Sequence, residues 1–249
     1  MTNPAIDPLV IIELTNLKAA GKLWELAGHS ALVMKPEWIW ELSQNTNWHV
    51  RSALAKNPVI SDFPESVDSL VNDEDYDIRY SLARNPALTD YPEIVERLSK
   101  DDEWSVRSGL AKNPTIAGSP TVIQTLTSDE DWHVRQSLAA NPAIANYPKI
   151  IERLSTDKDY EVRSALATNP TICVAPPAVK RLSKDRSERV RDALAQNPAI
   201  ANYPEVIKAL SSDQSPDVRD ALAENPAIPA STASNPQWNT QPVTPTPTI

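Results

Sequence analysis

Apolar residues along this chain fall into two short stripes that alternate without interruption. In residues 128–155, SDEDWHVRQSLAANPAIANYPKIIERLS, Val134 and Leu138 share one helical face with the small Ser137, and Ile150, Ile151 and Leu154 share another. The pattern predicts a first helix from Trp132 to about Ala140, capped by Asp129 or Asp131, and a second helix opening at Pro148, where a missing N–H costs nothing. Asn141-Pro142 ends the first helix, because the residue before proline is pushed out of the helical region and an asparagine side chain readily bonds neighbouring backbone groups. Both helices fall short of the roughly 12–15 residues at which an isolated helix becomes marginal in water, so stacking must stabilise them. Ala139, small where neighbours flank it on both sides, predicts close helix approach.

The pattern repeats every 28 residues. Arg51, Arg79, Arg107, Arg135, Arg163, Arg191 and Arg219 keep that interval, as do the Asn-Pro pairs beginning at Asn57, Asn85, Asn113, Asn141, Asn169, Asn197 and Asn225. Residues 141–155, NPAIANYPKIIERLS, return at 197–211 as NPAIANYPEVIKALS. A fixed period of this length marks an array in which each unit packs only on its neighbours. The predicted fold is all-α, a helical repeat solenoid (an α-α superhelix) of about eight 28-residue two-helix units. Residues 1–43 read as two degenerate capping repeats, in which TNPAIDPLVIIELT has a shortened loop and His29-Ser30 replaces Asn-Pro. Residues 44–227 form the regular repeats. Residues 228–249 read as a flexible Pro/Thr-rich tail, either a natural end or a linker to a further domain.

Composition narrows the function. Most of the 23 prolines sit at fixed phases of the repeat and act as punctuation rather than as signs of disorder. A net charge of -9 argues against nucleic acid, whose binding needs clustered Lys and Arg. The single cysteine, Cys173, allows neither an internal disulfide nor a cysteine-built metal cluster. With no apolar run of membrane-spanning length and no signal-like N-terminal segment, a cytoplasmic protein is expected, without membrane insertion and monomeric.

Candidate chemistry is sparse. His49 and His133 share one phase three units apart and His29 stands alone, so all three are expected on the surface rather than on a metal. No glycine-rich phosphate cradle occurs. No catalytic, cofactor-binding or metal-ligating residue is expected, and an enzyme is not predicted. An aspartate stands six residues before each of six arginines: Asp73 before Arg79, Asp101 before Arg107, Asp129 before Arg135, Asp157 before Arg163, Asp185 before Arg191 and Asp213 before Arg219; Asn45 takes that place before Arg51. Stacked, these form a structural ladder in which each guanidinium meets carboxylates of its own or the adjacent unit.

Two faces are candidates for partner binding. Trp48, Tyr76, Trp104, Trp132 and Tyr160 occupy one phase of five successive repeats before Glu188 and Pro216 replace them. They form either a partner-binding stripe or partly buried cover packed on the arginines with cation-π benefit. On the second helices, Glu96, Arg97, Glu152, Arg153, Lys180 and Arg181 vary on an otherwise fixed scaffold, as recognition positions and plain solvated positions both do.

The unit D-x-D-W-x-V-R-x-x-L-A-x-N-P followed by P-E-I-I-E-R-L resembles the leucine-rich repeat variant family over nearly all of residues 3–227. That resemblance implies repeats alternating an α-helix with a shorter, often 3₁₀, helix. The 28-residue period exceeds that family's usual unit, the excess lying before the second helix. Cys173 alone cannot hold the iron-sulfur cluster that accompanies some members, so no cofactor is expected. The paired Asp and Arg also resemble HEAT repeats, including the short HEAT-like repeats of bilin lyases. The function expected is a non-enzymatic protein-protein interaction scaffold with a protein or peptide partner; the alternative is a lyase-like or chaperone-like protein handling a pigment or small apolar ligand.

Overall fold

The structure, a computed structural model, describes residues 8–229; the opening Asn3-Pro4 phrase and nearly all of the predicted tail, Trp238 included, lie outside that range. The chain divides into two compact units, Met1–Asn146 and Tyr147–Ile249. Helices are the only regular elements among the described residues, and the fold is an all-α helical repeat solenoid.

Each regular repeat contains three helices where two were predicted. In the first unit, an α-helix Trp48–Lys56 leads to a 3₁₀ helix Pro58–Asp62 and then to an α-helix Pro64–Val71. The triplet recurs as Tyr76–Ala83, Pro86–Asp90 and Pro92–Leu98, then as Trp104–Ala111, Pro114–Gly118 and Pro120–Thr127, before Trp132–Ala140 and Pro142–Asn146 close the unit. The second unit opens on Pro148–Leu154 and carries two further triplets, beginning at Tyr160 and Glu188, and a last first-type helix, Pro216–Glu224. The segment read as a loop is therefore helical. Its cause is the Asn-Pro pair: proline supplies a fitting φ at the first position, and the asparagine Oδ1 accepts from the backbone N–H two residues on, as Asn57 does from Val59 and Asn113 from Thr115.

The proposed start of the second helix holds throughout these repeats, where proline occupies the first turn. At the first helix, of the two candidate caps Asp131 is the one used, accepting from His133 N at 2.8 Å, while Asp129 sets up the turn by accepting from Asp131 N.

The leading residues build the same triplet less regularly. A 12-residue helix Pro8–Ala19 ends at Gly21, whose φ of 69° is the left-handed conformation glycine tolerates. Leu23–Gly28, Ser30–Met34 and Pro36–Ser43 follow. His29 is not a surface bystander as expected: half-buried, it stands in the asparagine phase, and its Nδ1 accepts from Ala31 N at 3.1 Å to cap the 3₁₀ helix.

Within each unit, like packs on like. First-type helices stack on first-type helices of the next repeat, 3₁₀ helices on 3₁₀ helices, and second-type helices on their successors. Between these layers Leu54, Ile60, Val67 and Leu70 are fully buried, as are the corresponding Leu166, Ile172, Val179 and Leu182 of the second unit. Removing each such side chain from water contributes about 1.5–3 kcal/mol, which isolated helices of this length cannot obtain. Ala55, Ala83, Ala111 and Ala139 are completely buried at the phase predicted for close approach.

Candidate functional site

The arginine phase sits one turn into each first-type helix, where its side chain can reach the next repeat. Arg107 Nε donates to Asp129 Oδ2 at 2.7 Å and Nη2 to Oδ1 at 3.0 Å, while Nη1 donates to the carbonyl of Asp101 at 2.6 Å. Arg51 with Asp73, Arg79 with Asp101, Arg163 with Asp185 and Arg191 with Asp213 repeat this two-pronged geometry. The aspartate six residues upstream supplies its backbone carbonyl, not its carboxylate, so Asn45 leaves Arg51 fully served. Arg135 donates to the carbonyls of Asp129 and Glu130, and the Asp157 carboxylate accepts from Asp159 N. Arg219 is the exception: exposed, it donates to Asp213 O and meets no carboxylate among the described residues.

Burial alone would push the Asp185 and Asp213 carboxyls up, yet hydrogen bonds from Arg163 and Arg191, with those from the Ser187 and Ser215 N–H groups, hold both below the usual carboxylate range. Arg219 apart, the positive charge of the ladder arginines is thus consumed internally.

A second ladder was not foreseen. Asn113 Nδ2 donates to Ala83 O at 2.8 Å, at the end of the previous first-type helix, and to Asn85 O at 3.0 Å, which also accepts from Leu88 N. Asn57, Asn85, Asn141, Asn197 and Asn225 do likewise, all nearly fully buried. The signal was present in the use of asparagine at all seven phases: aspartate or serine could cap locally, but only the amide can accept through its oxygen and donate two N–H bonds at once. Tyr91 and Tyr203 add further ties, their hydroxyls donating to Ser61 O and Cys173 O at 2.7 Å, and burial pushes both phenols up.

The aromatic series occupies the first helical position, immediately after the cap residue, so each ring projects from the start of its helix. Trp48, Tyr76, Trp104 and Tyr160 are 44, 46, 42 and 37 % exposed, and Trp132 is half-buried. Among the described residues no ladder arginine lies over the face of a ring in this series. Among the described residues a cation lies over this series at Tyr160, where Arg189 of the next repeat stands 5.7 Å from the ring centroid. His133 stacks on both Trp132 and Trp104, at 3.6 and 4.6 Å, bridging two repeats.

The second-helix candidates are more committed. Arg97 bonds Asn72 of the preceding repeat, Arg181 bonds Ser155 at 2.5 Å, and Glu96 pairs with Lys100 at 2.7 Å. Glu152 is half-buried and offers its carbonyl to Arg181, whereas Arg153 and Lys180 are exposed. Two open grooves lie between successive second-type helices of the first unit. One, of about 700 Å³, is bordered by Trp40, Arg51, Asp68, Asp73 and Glu74; the other, of about 520 Å³, by Lys100, Asp102, Arg107, Asp129 and Glu130. Among the described residues no cluster of His, Cys, Asp and Glu could hold a metal ion, and no helix is long and apolar enough to cross a membrane.

These features define an α-helical repeat protein stapled by side-chain ladders, with its aromatic residues turned outward. Its fold is similar to a solved structure described as "a leucine-rich repeat variant with a novel repetitive protein structural motif", with a TM-score of 0.50 and 23 % identity over 76 % of this chain and 71 % of that one. The chain is leucine-rich-repeat-variant-like in fold. No family model and no curated protein matches it.

Proposed function

We propose that the chain is a non-enzymatic scaffold that binds a protein or peptide along the exposed aromatic row of its first-type helices, and that it works as a cytoplasmic monomer. One observation supports this reading: four of the five rings at a single phase, Trp48, Tyr76, Trp104 and Tyr160, stay between 37 and 46 % exposed in repeats whose aliphatic stripes are buried. Exposed aromatic rows are costly to leave in water and are the residues on which interfaces concentrate their energy. A chain whose one cysteine stands unpaired fits a reducing compartment. Pigment handling needs an enclosed apolar cavity, and the two grooves described above are open and bordered largely by polar and charged side chains.

The test is affinity capture followed by mass spectrometry with the intact chain and with a Tyr76→Ala/Trp104→Ala variant whose helicity is verified by circular dichroism. A partner retained by the intact chain and lost by the folded variant supports the scaffold; equal capture by both removes the aromatic row from the function.

A further inference from the structure

The repeats can be compared with one another, and one of them contains its own answer. In the second unit, Arg189 lies over the ring of Tyr160, donates to its hydroxyl at 3.3 Å and stands 3.8 Å from Glu161. Three repeats earlier, 84 residues back at each position, the same three places hold Tyr76, Asp77 and Ser105. The ring and the carboxylate are kept, and the arginine is replaced by a short side chain. Tyr76 is 46 % exposed and Asp77 is exposed, flanked by the half-buried Asp75.

The next place along the row has the same character. His133 shows that the residue 29 positions after one ring sits between two rings, since it stacks on both Trp104 and Trp132. In the repeats of Trp48 and Tyr76 that position is Asp77, a carboxylate between two exposed rings. Between residues 44 and 146 sixteen Asp and Glu stand against nine Lys and Arg, and Arg51, Arg79, Arg107 and Arg135 among the nine are occupied in the ladder. Both the rings and the surplus charge therefore favour a cation.

Resting on the scaffold reading above, we propose that the Tyr76 ring, midway along the Trp48–Tyr76–Trp104 row of the first unit, binds an extended basic peptide, one of whose arginine side chains occupies over Tyr76 the place that Arg189 fills over Tyr160. A guanidinium stacks on an aromatic face while bonding a carboxylate, which an ammonium does less well. Packed helices stand about 8–10 Å apart and an extended chain advances about 3.3 Å per residue, so with one arginine over Tyr76 the arginines three positions to either side reach the neighbouring repeats, near Asp77 beside Trp48 and alongside Trp104, the faces of those two rings being already stacked by His49 and His133.

The test uses the full chain and a synthetic decapeptide with arginine at every third position among serines, titrated by tryptophan fluorescence in about 0.1 M salt, where long-range charge effects are screened. Its controls are a peptide of the same composition with the arginines adjacent, and Thr89→Arg, which adds a positive charge on an exposed residue of a 3₁₀ helix. Ser105→Arg recreates the Arg189 arrangement over Tyr76 and should weaken binding of the spaced peptide about tenfold, the worth of one exposed cation-π contact with its ion pair. Thr89→Arg should change it less than about twofold, and the clustered peptide should bind more weakly than the spaced one. Asp77→Asn, which leaves every ring in place, gives a second reading should Ser105→Arg disturb the helix. Failure of the spaced peptide to bind, or equal affinities for both peptides and all variants, overturns the proposal. The scaffold reading is judged separately by the capture experiment, and survives if the captured partner proves not to be basic.

Discussion

Arg107 and Asp129, 22 residues apart in sequence, meet through two parallel hydrogen bonds of 2.7 and 3.0 Å across adjacent repeats. Both side chains are nearly buried, 10 and 5 % exposed. Removing one partner strands the other, so Asp129→Ala should cost about 3 kcal/mol, the lower end for buried pairs. Arg219→Ala, which breaks no ion pair among the described residues, should cost less than about 0.5 kcal/mol. Urea unfolding midpoints followed by circular dichroism compare the two directly.

The asparagine ladder makes an unusual demand on amide chemistry. Asn113→Ala leaves the Ala83 carbonyl and the Thr115 N–H unserved and takes one of two donors from the Asn85 carbonyl, and should destabilise by about 2–3 kcal/mol. Asn113→Asp keeps the cap yet aims a carboxylate at two carbonyls, so at neutral pH it should be worse than alanine. Protonation lets the acid donate, and the gap between the two variants should narrow as pH falls toward 5. Thermal unfolding at several pH values provides the check.

Acid sensitivity follows from the ladder. Asp185 and Asp213 are held below their ordinary range in the folded chain, so the stability they contribute is fully present above the unfolded value of about 3.9 and is lost as pH falls from there through the folded value. The second unit should therefore weaken only below about pH 4, and the hydrogen-exchange protection factors at Ala167 and Ala195, which divide out the pH dependence of intrinsic exchange, should fall there while remaining flat from pH 5 to 8.

Gly109 lies beneath a ring: a Cβ added there would stand 2.8 Å from Tyr80 Cδ2. Gly109→Ala gains about 1 kcal/mol of helix propensity but forces the ring aside, and the net change should be destabilising by about 1 kcal/mol. Serine replaces Tyr80 at the same phase in Ser52 and Ser108, and Ser52 bonds Ser81 Oγ at 3.0 Å. In a Tyr80→Ser background the same glycine substitution should turn stabilising, a change of sign that a double-mutant cycle reads out.

What the chain alone reveals is whatever depends on near neighbours along it. The 28-residue period, the proline-initiated second helices, the stop at Asn-Pro and the buried Leu and Ile stripes are all set by local dihedral preferences and by side-chain periodicity, and they are legible from Val134, Leu138, Pro148 and Ile151. Placing Asp131 rather than Asp129 as the cap required only one further turn of geometry.

Contacts between repeats were decided by stacking. Sequence spacing put Asp101 nearest to Arg107 along the chain, but only the distance between stacked helices directs the guanidinium forward to Asp129 and leaves Asp101 to contribute a carbonyl. The backward reach of Asn113 depends on carbonyls presented by the previous repeat, which no local pattern records. Exposure is likewise a property of the stack: Tyr76 and Tyr160 are the same residue at the same phase, and what distinguishes them is the arginine or serine that the following repeat brings alongside.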